Sequence, residues 1–85
     1  MTYRIAMSTR ASKDLRKLPS LIRQKVDAAI DVLRVNPFLG KRLHAEFNEM
    51  WSLRVWPYRI IYTIHREIVT VTILRIGHRQ GVYRK

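Results

Sequence analysis

The chain has 85 residues, no cysteine and a formal net charge of +11 at pH 7. A chain of this length holds one hydrophobic core, so a second domain is excluded and residues 1–85 are expected to fold as a single domain. The lack of cysteine excludes disulfides, thiol nucleophiles and thiolate metal sites. The large positive charge predicts an anionic partner, which is a nucleic acid, an anionic membrane or an acidic protein.

Nothing in the sequence predicts a membrane location. The chain has no run of about 18 apolar residues that would span a bilayer, and its first residues lack the apolar core of a signal peptide. We therefore expect a cytoplasmic protein without a membrane partner. The three histidines are scattered and lack the spacing of metal ligands, so no metal site is predicted.

The first half of the chain predicts a strand followed by two helices. Residues 3–7 combine β-branched and aromatic side chains, which favours a strand. Apolar residues then recur at helical spacing on both sides of Pro19. The first stripe is Ala11, Leu15 and Leu18, and the second is Ile22, Val26, Ala29, Ile30 and Leu33. Asn36 and Pro37 are expected to end the second helix, and residues 38–42 are predicted to form a loop.

The second half changes to a period of about two, which is typical of strands. Residues 51–55, 58–65 and 68–76 are the three predicted strands, with Pro57 in a tight connection and Gly77 as the end of the last strand. The order is strand, helix, helix, strand, strand, strand. We therefore predict an α+β fold in which both N-terminal helices pack on one face of an antiparallel sheet.

The basic residues of the predicted sheet alternate with its apolar residues. Arg54 and Arg59 are both expected on the face that the helices leave uncovered, and a hairpin would bring them together. Arg79 and Tyr83 follow the last strand, in a tail that is expected to fold back toward them. Guanidinium groups match phosphate oxygens and a tyrosine ring stacks on an unpaired base, which favours single-stranded RNA. The alternative is an ordinary solvated surface.

Several segments, taken in order, resemble one protein family. Residues 51–62 read WSLRVWPYRIIY, residues 71–79 read VTILRIGHR and residues 82–84 read VYR. In the first half, KDL at 13–15 and KLP at 17–19 match the family's first helix and turn. Over its whole length the chain is similar to the RelE/ParE superfamily of bacterial and archaeal type II toxins, and it resembles the RelE-like branch of mRNA interferases.

The resemblance implies a toxin that its cognate antitoxin keeps inactive and that cleaves mRNA in the ribosomal A site without a metal or other cofactor. In this reaction a ribose 2′-OH attacks the adjacent phosphate, so the site must orient the nucleophile and stabilise charge on the phosphoryl oxygens. By matching position, Arg59 would stabilise the phosphate charge. Arg79 would bind phosphate or act near the leaving group, and Tyr83 would stack on or orient the substrate base.

The chain also departs from the RelE pattern. The family has lysines on the strand that corresponds to residues 51–55, and the matching residues here are Ser52 and Arg54. Arginine stays protonated, so Arg54 is predicted to bind RNA phosphate and not to accept a proton. His78 is the predicted proton carrier, because imidazole titrates near neutrality and the residue is adjacent to Arg79. The alternative for His78 is a residue that only forms part of a turn.

Three further cations, Lys41, Arg42 and Arg84, are predicted to bind RNA, and the alternative is that they are only solvated. The expected partners are the ribosome, its mRNA and an acidic antitoxin, with assembly into a higher-order toxin–antitoxin complex. Two other functions compete with RNA cleavage. One is inhibition of DNA gyrase by a ParE-like toxin, and the other is non-catalytic RNA binding.

Overall fold

The computed structural model describes residues 2–43, 49–78 and 81. Its elements in chain order are β1 (Arg4–Met7), α1 (Thr9–Lys17), α2 (Ser20–Val35), a 3₁₀ helix (Pro37–Leu39), β2 (Lys41–Arg42), β3 (Trp51–Val55), β4 (Tyr58–His65) and β5 (Thr70–His78). The α+β class is confirmed, and so is the order of one strand, two helices and three closely joined strands. No helix in the described part of the chain is both long enough and apolar enough to cross a membrane.

The five strands form one sheet in the order β1-β5-β4-β3-β2. The strands β3, β4 and β5 are consecutive antiparallel neighbours, which confirms the predicted meander. The strand β1, however, is parallel to β5, so the sheet is mixed and not antiparallel throughout. Alternation of apolar residues predicts which face a side chain takes, but it carries no information on the direction of a strand's neighbour.

Two boundaries in the sequence prediction are wrong. Residues 38–42, predicted as a loop, contain part of the 3₁₀ helix and the short strand β2, which pairs with β3 through Lys41 with Ser52 and Arg42 with Trp51. The strand β5 begins at Thr70 and continues through Gly77 to His78. Its start is displaced because Val69 has a φ of 50°, a turn conformation that its β-branched side chain does not suggest.

The core lies between the two helices and one face of the sheet. Its buried members are Ala11, Leu18, Val26, Ile30 and Leu33 from the helical half and Ile60, Tyr62, Val71, Ile73 and Ile76 from the sheet. The other stripe residues, Leu15, Ile22 and Ala29, pack against this cluster. Both helices therefore use the predicted apolar stripes to cover a single face.

The helix α1 covers the edge of β5 that β1 is too short to reach. Ser8 caps α1 by accepting a hydrogen bond from the Ala11 N–H at 3.0 Å, and its hydroxyl donates to the Leu74 carbonyl at 2.9 Å. One turn further, Asp14 Oδ2 accepts from the Ile76 N–H at 2.9 Å and from Arg75 Nε at 3.2 Å. Backbone polar groups of β5 that lie beyond the end of β1 are thereby satisfied by the N-cap side chain of α1 and by a side chain within the helix.

Tyr62 connects the sheet to the segment that precedes β2. Its ring is fully buried, and its hydroxyl donates to the Pro37 carbonyl at 2.7 Å and accepts from the Gly40 N–H at 3.2 Å. Burial raises the pKa of Tyr62 to about 12, and the hydrogen bond from Gly40 opposes that rise. The phenol is therefore neutral, and its hydroxyl group both donates and accepts a hydrogen bond. These two hydrogen bonds fix the position of Lys41 and Arg42 beside β3.

We expect Asp14→Ala to lower the free energy of unfolding by about 1–3 kcal/mol, because the Ile76 N–H and the Arg75 guanidinium lose a shared acceptor. Asp31→Ala is the matched control. Asp31 also contacts an arginine, Arg34 at 3.3 Å, but its side chain is 74% exposed, against 14% for Asp14. Such a surface pair contributes on the order of 0.5 kcal/mol. Urea unfolding measures both losses, and equal values would contradict the edge-capping role of Asp14.

We expect Gly40→Ala to lower the free energy of unfolding by about 1–3 kcal/mol, because the site is already filled. A Cβ atom at this position would collide with Tyr62 Oη and lie 2.8 Å from the Ser52 carbonyl oxygen. Gly81→Ala is the control, since a Cβ atom there has no neighbour within 4 Å. Thermal unfolding of the two variants measures the difference, and a neutral Gly40→Ala would show that the segment moves freely away from Tyr62.

Candidate functional site

The hairpin of β3 and β4 places two arginines directly opposite each other. Arg54 pairs with Arg59 in the antiparallel register, as the alternation predicts. Ile60, next to Arg59, points into the core, so both arginine side chains take the face without helices. Arg59 Nη1 lies 3.4 Å from the Ser52 hydroxyl oxygen, to which it donates a long hydrogen bond. Like charges in such a pair destabilise a sheet, which makes the arrangement informative about function.

A shallow cleft of about 350 Å³ surrounds this arginine pair, and we call it the basic cleft. Its lining includes Leu39, Gly40, Lys41, Ser52, Arg54 and Arg59. None of the described lining residues is acidic. Within the described ranges, the ion pairs are Arg10 and Arg75 with Asp14, and Arg34 with Asp31. The cations of the basic cleft therefore lack a carboxylate partner among the described residues, which favours binding of an anion.

Ser52 is the residue of this site that sequence reasoning missed as a contact. It is 3% exposed and sits between Arg59 and the backbone beside Gly40. The signal was present in its spacing, because a residue two positions before Arg54 on a strand shares the same face. The sequence alone identifies Ser52 only as the residue that replaces a lysine of the RelE pattern.

His78 does not reach the basic cleft. It pairs with Tyr58 in the register between β4 and β5, and the two rings meet edge to face with centroids 5.9 Å apart. Tyr58 packs against the core, so the His78 ring lies on the helix side of the sheet. The residue opposite Arg59 is Gly77. Proximity to Arg79 in sequence suggested a proton carrier for the cleft, but alternation along β5 puts His78 on the other face.

Lys41 and Arg42 are separated although they are consecutive. Lys41 lines the basic cleft, whereas Arg42 lines a different pocket together with Phe38 and Trp51. The reason is that successive residues of a strand point to opposite faces. The other predicted site residues, Arg79, Tyr83 and Arg84, lie outside the described part of the chain.

The chemistry available in the basic cleft is binding and charge stabilisation. Guanidinium groups donate several hydrogen bonds in a planar fork and do not accept protons. Two guanidinium groups on one small surface can bind a phosphate group and stabilise additional negative charge on its oxygens. Across residues 2–43, 49–78 and 81, no group of three or more histidine, aspartate and glutamate side chains is arranged to hold a metal ion.

Comparison with known proteins identifies the family. The family model described as ParE toxin of the type II toxin–antitoxin system parDE matches residues 5–83. This chain belongs to the RelE/ParE superfamily of type II toxins. The toxin is 38% identical over 87 residues to Toxin RelG of Mycobacterium tuberculosis, with 100% of both chains covered. It is also 33% identical over 84 residues to Toxin RelE of the same organism, covering 96% of this chain and 87% of the relative.

Solved structures agree with this assignment. The toxin–antitoxin complex RelBE2 from Mycobacterium tuberculosis contains a chain that is 38% identical, with a TM-score of 0.85 and coverage of 93% of this chain and 100% of that one. An archaeal RelE–RelB complex from Pyrococcus horikoshii shares the fold, with a TM-score of 0.81, 23% identity and coverage of 96% and 100%. The resemblance expected from the sequence is thus confirmed, including the RelE names of its relatives.

We expect the opposed arginines of this toxin to repel each other measurably. Arg54→Gln removes one charge and should raise the free energy of unfolding by about 0.2–1 kcal/mol at low salt, with the gain disappearing near 1 M NaCl. Arg23→Gln, an exposed cation on α2, is the control for a general reduction of net charge. Denaturant unfolding at both ionic strengths measures the effect, and an equal gain in the two variants would rule out a local origin.

Proposed function

We propose that this toxin is a ribosome-dependent mRNA endonuclease of the RelE kind. The observation that carries the proposal is the pair Arg54 and Arg59, opposed across the hairpin in a cleft whose described residues include no acid. Keeping two like charges on directly opposed residues is unfavourable for folding, and a bound phosphate offsets that penalty. The relatives named RelG and RelE, at 38% and 33% identity, support this branch of the superfamily.

In the proposed reaction the 2′-oxygen of one nucleotide attacks the adjacent phosphorus, and the bond to the 5′-oxygen of the next nucleotide breaks. Charge builds up on the phosphoryl oxygens as the new P–O bond forms. Arg59 donates hydrogen bonds to these oxygens while Ser52 supports its guanidinium, and Arg54 holds the same phosphate from the facing strand. Hydrogen-bond donors that are already in position before the reaction stabilise the charge of the transition state more than water does.

Arg79 and Tyr83 complete the proposed site. Arg79 binds phosphate or acts near the 5′-oxygen that leaves, and Tyr83 stacks on the substrate base and orients it. The 2′-OH must lose a proton and the 5′-oxygen must gain one. The described guanidinium groups accept no proton, and His78 lies on the other face, so we assign the basic cleft to charge stabilisation and binding alone.

The proposed partner that silences the toxin is an acidic antitoxin. Two of the similar structures are toxin–antitoxin complexes, RelBE2 and the archaeal RelE–RelB complex. Carboxylates of the antitoxin would pair with Arg54 and Arg59, and the exposed apolar residues Leu21 and Val35 of α2 offer contact area outside the cleft. We further propose that this assembly is of higher order and that toxin, ribosome and mRNA meet in the cytoplasm.

A second candidate function is inhibition of DNA gyrase. The observation in its favour is the matching family model, which carries the name of the ParE toxins. The replacement of the RelE lysines by Ser52 and Arg54 also favours gyrase inhibition. A gyrase inhibitor needs a surface that binds protein and has no requirement for a phosphate held between Arg54 and Arg59.

Induced expression in a bacterial host distinguishes the two candidates. The wild-type toxin should arrest growth and produce mRNA 5′ ends at codons in the A site, whereas Arg59→Ala should reduce cleavage by about 100-fold or more, because one transition-state donor is lost. Arg59→Lys should be intermediate, since a point charge replaces the planar fork. Arg23→Ala is the charge-matched control and should cleave normally.

Growth arrest without new mRNA ends, together with loss of negative supercoiling in a plasmid, would overturn the nuclease proposal in favour of gyrase inhibition. If the Arg59→Ala variant arrests growth as strongly as the wild-type toxin, the toxicity does not depend on the basic cleft. Ribosome binding by the variants, measured by co-sedimentation, shows whether a loss of cleavage arises from chemistry or from binding.

A further inference from the structure

A second pocket lies at the opposite end of β4 from Arg59, and we call it the aromatic pocket. It encloses about 280 Å³, and the residues that matter for its chemistry are Phe38, Arg42, Glu49, Trp51, His65 and Arg66. Its location follows from the strand lengths, since β3 begins at Trp51, opposite Tyr62, while β4 continues to His65. Arg59 and His65 are six residues apart on an extended strand, which corresponds to about 20 Å.

Two aromatic side chains, Phe38 and Trp51, line the aromatic pocket. Phe38 meets Trp51 edge to face with centroids 5.7 Å apart, and Trp51 stacks on the buried Tyr62 ring at 6.4 Å. The Arg66 guanidinium lies over the Phe38 ring, 4.9 Å from its centroid. Phe38 is nevertheless 40% exposed, so this stack ends at the surface. Aromatic rings and a guanidinium plane together are the surfaces on which unpaired bases stack.

The charges of this pocket differ from those of the basic cleft. Arg42 and Arg66 are accompanied by Glu49, whose carboxylate would repel a bare phosphate. A carboxylate instead accepts hydrogen bonds from N–H groups on the edge of a nucleobase. Guanine presents two adjacent N–H groups that match the two oxygens of Glu49, while its phosphate can pair with either arginine. Aromatic rings, one carboxylate and two guanidinium groups are together the groups expected in a nucleotide-binding site.

We propose that the aromatic pocket is a nucleobase-binding subsite for single-stranded RNA with a preference for guanine. The proposal goes beyond the cleavage reaction, because it concerns a nucleotide remote from the scissile phosphate and requires no activity of the basic cleft. The strand β2 provides the connection. Its two residues, Lys41 and Arg42, line the basic cleft and the aromatic pocket respectively, so cations mark a path for the RNA backbone across this sheet edge.

Fluorescence of Trp51 in the purified full-length chain tests the proposal. Trp56 is 59% exposed, and the substitution Trp56→Phe is made first so that Trp51 is the only tryptophan in the chain. The probes are GMP, CMP, UMP and inorganic phosphate. We expect saturable quenching by GMP at the lowest concentration, weaker quenching by the pyrimidine nucleotides, and none by phosphate.

Variants in the same background locate the binding. Arg66→Ala and Glu49→Gln change exposed side chains and should each weaken GMP binding by about tenfold, since each removes a charge-assisted contact. Glu49→Gln should also reduce the preference for GMP over UMP. Arg59→Ala should leave GMP binding unchanged. Circular dichroism of each variant verifies that it is folded.

Three results would overturn the proposal. Quenching by inorganic phosphate equal to that by GMP would indicate a plain anion site. Loss of binding in Arg59→Ala, with Arg66→Ala unaffected, would place the nucleotide in the basic cleft. A glutamate-rich peptide that quenches Trp51 where nucleotides do not would identify a protein-docking surface. None of these results depends on mRNA cleavage, so the failure of this proposal is distinguishable from failure of the proposed nuclease function.

Discussion

The hydroxyl group of Tyr62 is the contact on which the geometry of the candidate site depends. It bonds to Pro37 and Gly40 from the centre of the sheet, and it thereby holds the end of the helical half against β3. The absence of a side chain at position 40 allows this approach. Because Lys41 and Arg42 follow immediately, one buried phenol determines where two cations stand relative to the arginines of the hairpin.

Folding and function make opposite demands on the hairpin of β3 and β4. Its helix-facing residues, such as Ile60 and Tyr62, contribute to the core, while Arg54 and Arg59 repel each other on the opposite face. The core contacts give a fixed register, and that register keeps Arg54 and Arg59 directly opposite each other. One face of the hairpin thus contributes to the core. Its contacts stabilise the register of the opposed arginines on the other face, which is unfavourable by itself.

The sequence was sufficient for those features that follow from alternation and spacing. The helices, the meander and the meeting of Arg54 with Arg59 all follow from which residues share a face. Features that depend on distant partners were not accessible. The parallel pairing of β1 with β5 and the strand β2 are examples, because each requires contacts between residues far apart in sequence.

The position of His78 has a different cause. Adjacency to Arg79 in sequence does not by itself give proximity to the basic cleft, and Gly77 does not end the strand. Because β5 continues to His78, alternation still applies there and turns its ring toward Tyr58. The same rule separates Lys41 from Arg42. One residue more or less in a strand therefore decides whether a cation belongs to a site.

The described lining of the basic cleft contains cations and no acidic residue, and this also has a kinetic consequence. A concentrated positive field accelerates the diffusional encounter with any polyanion, and the acceleration falls steeply as salt is added. RNA and an acidic protein partner would both be drawn to the same surface at rates set by long-range attraction, before any short-range contact forms. The outcome of their competition would then depend on dissociation rates, and a slowly dissociating protein would keep the cleft occupied even when RNA is abundant.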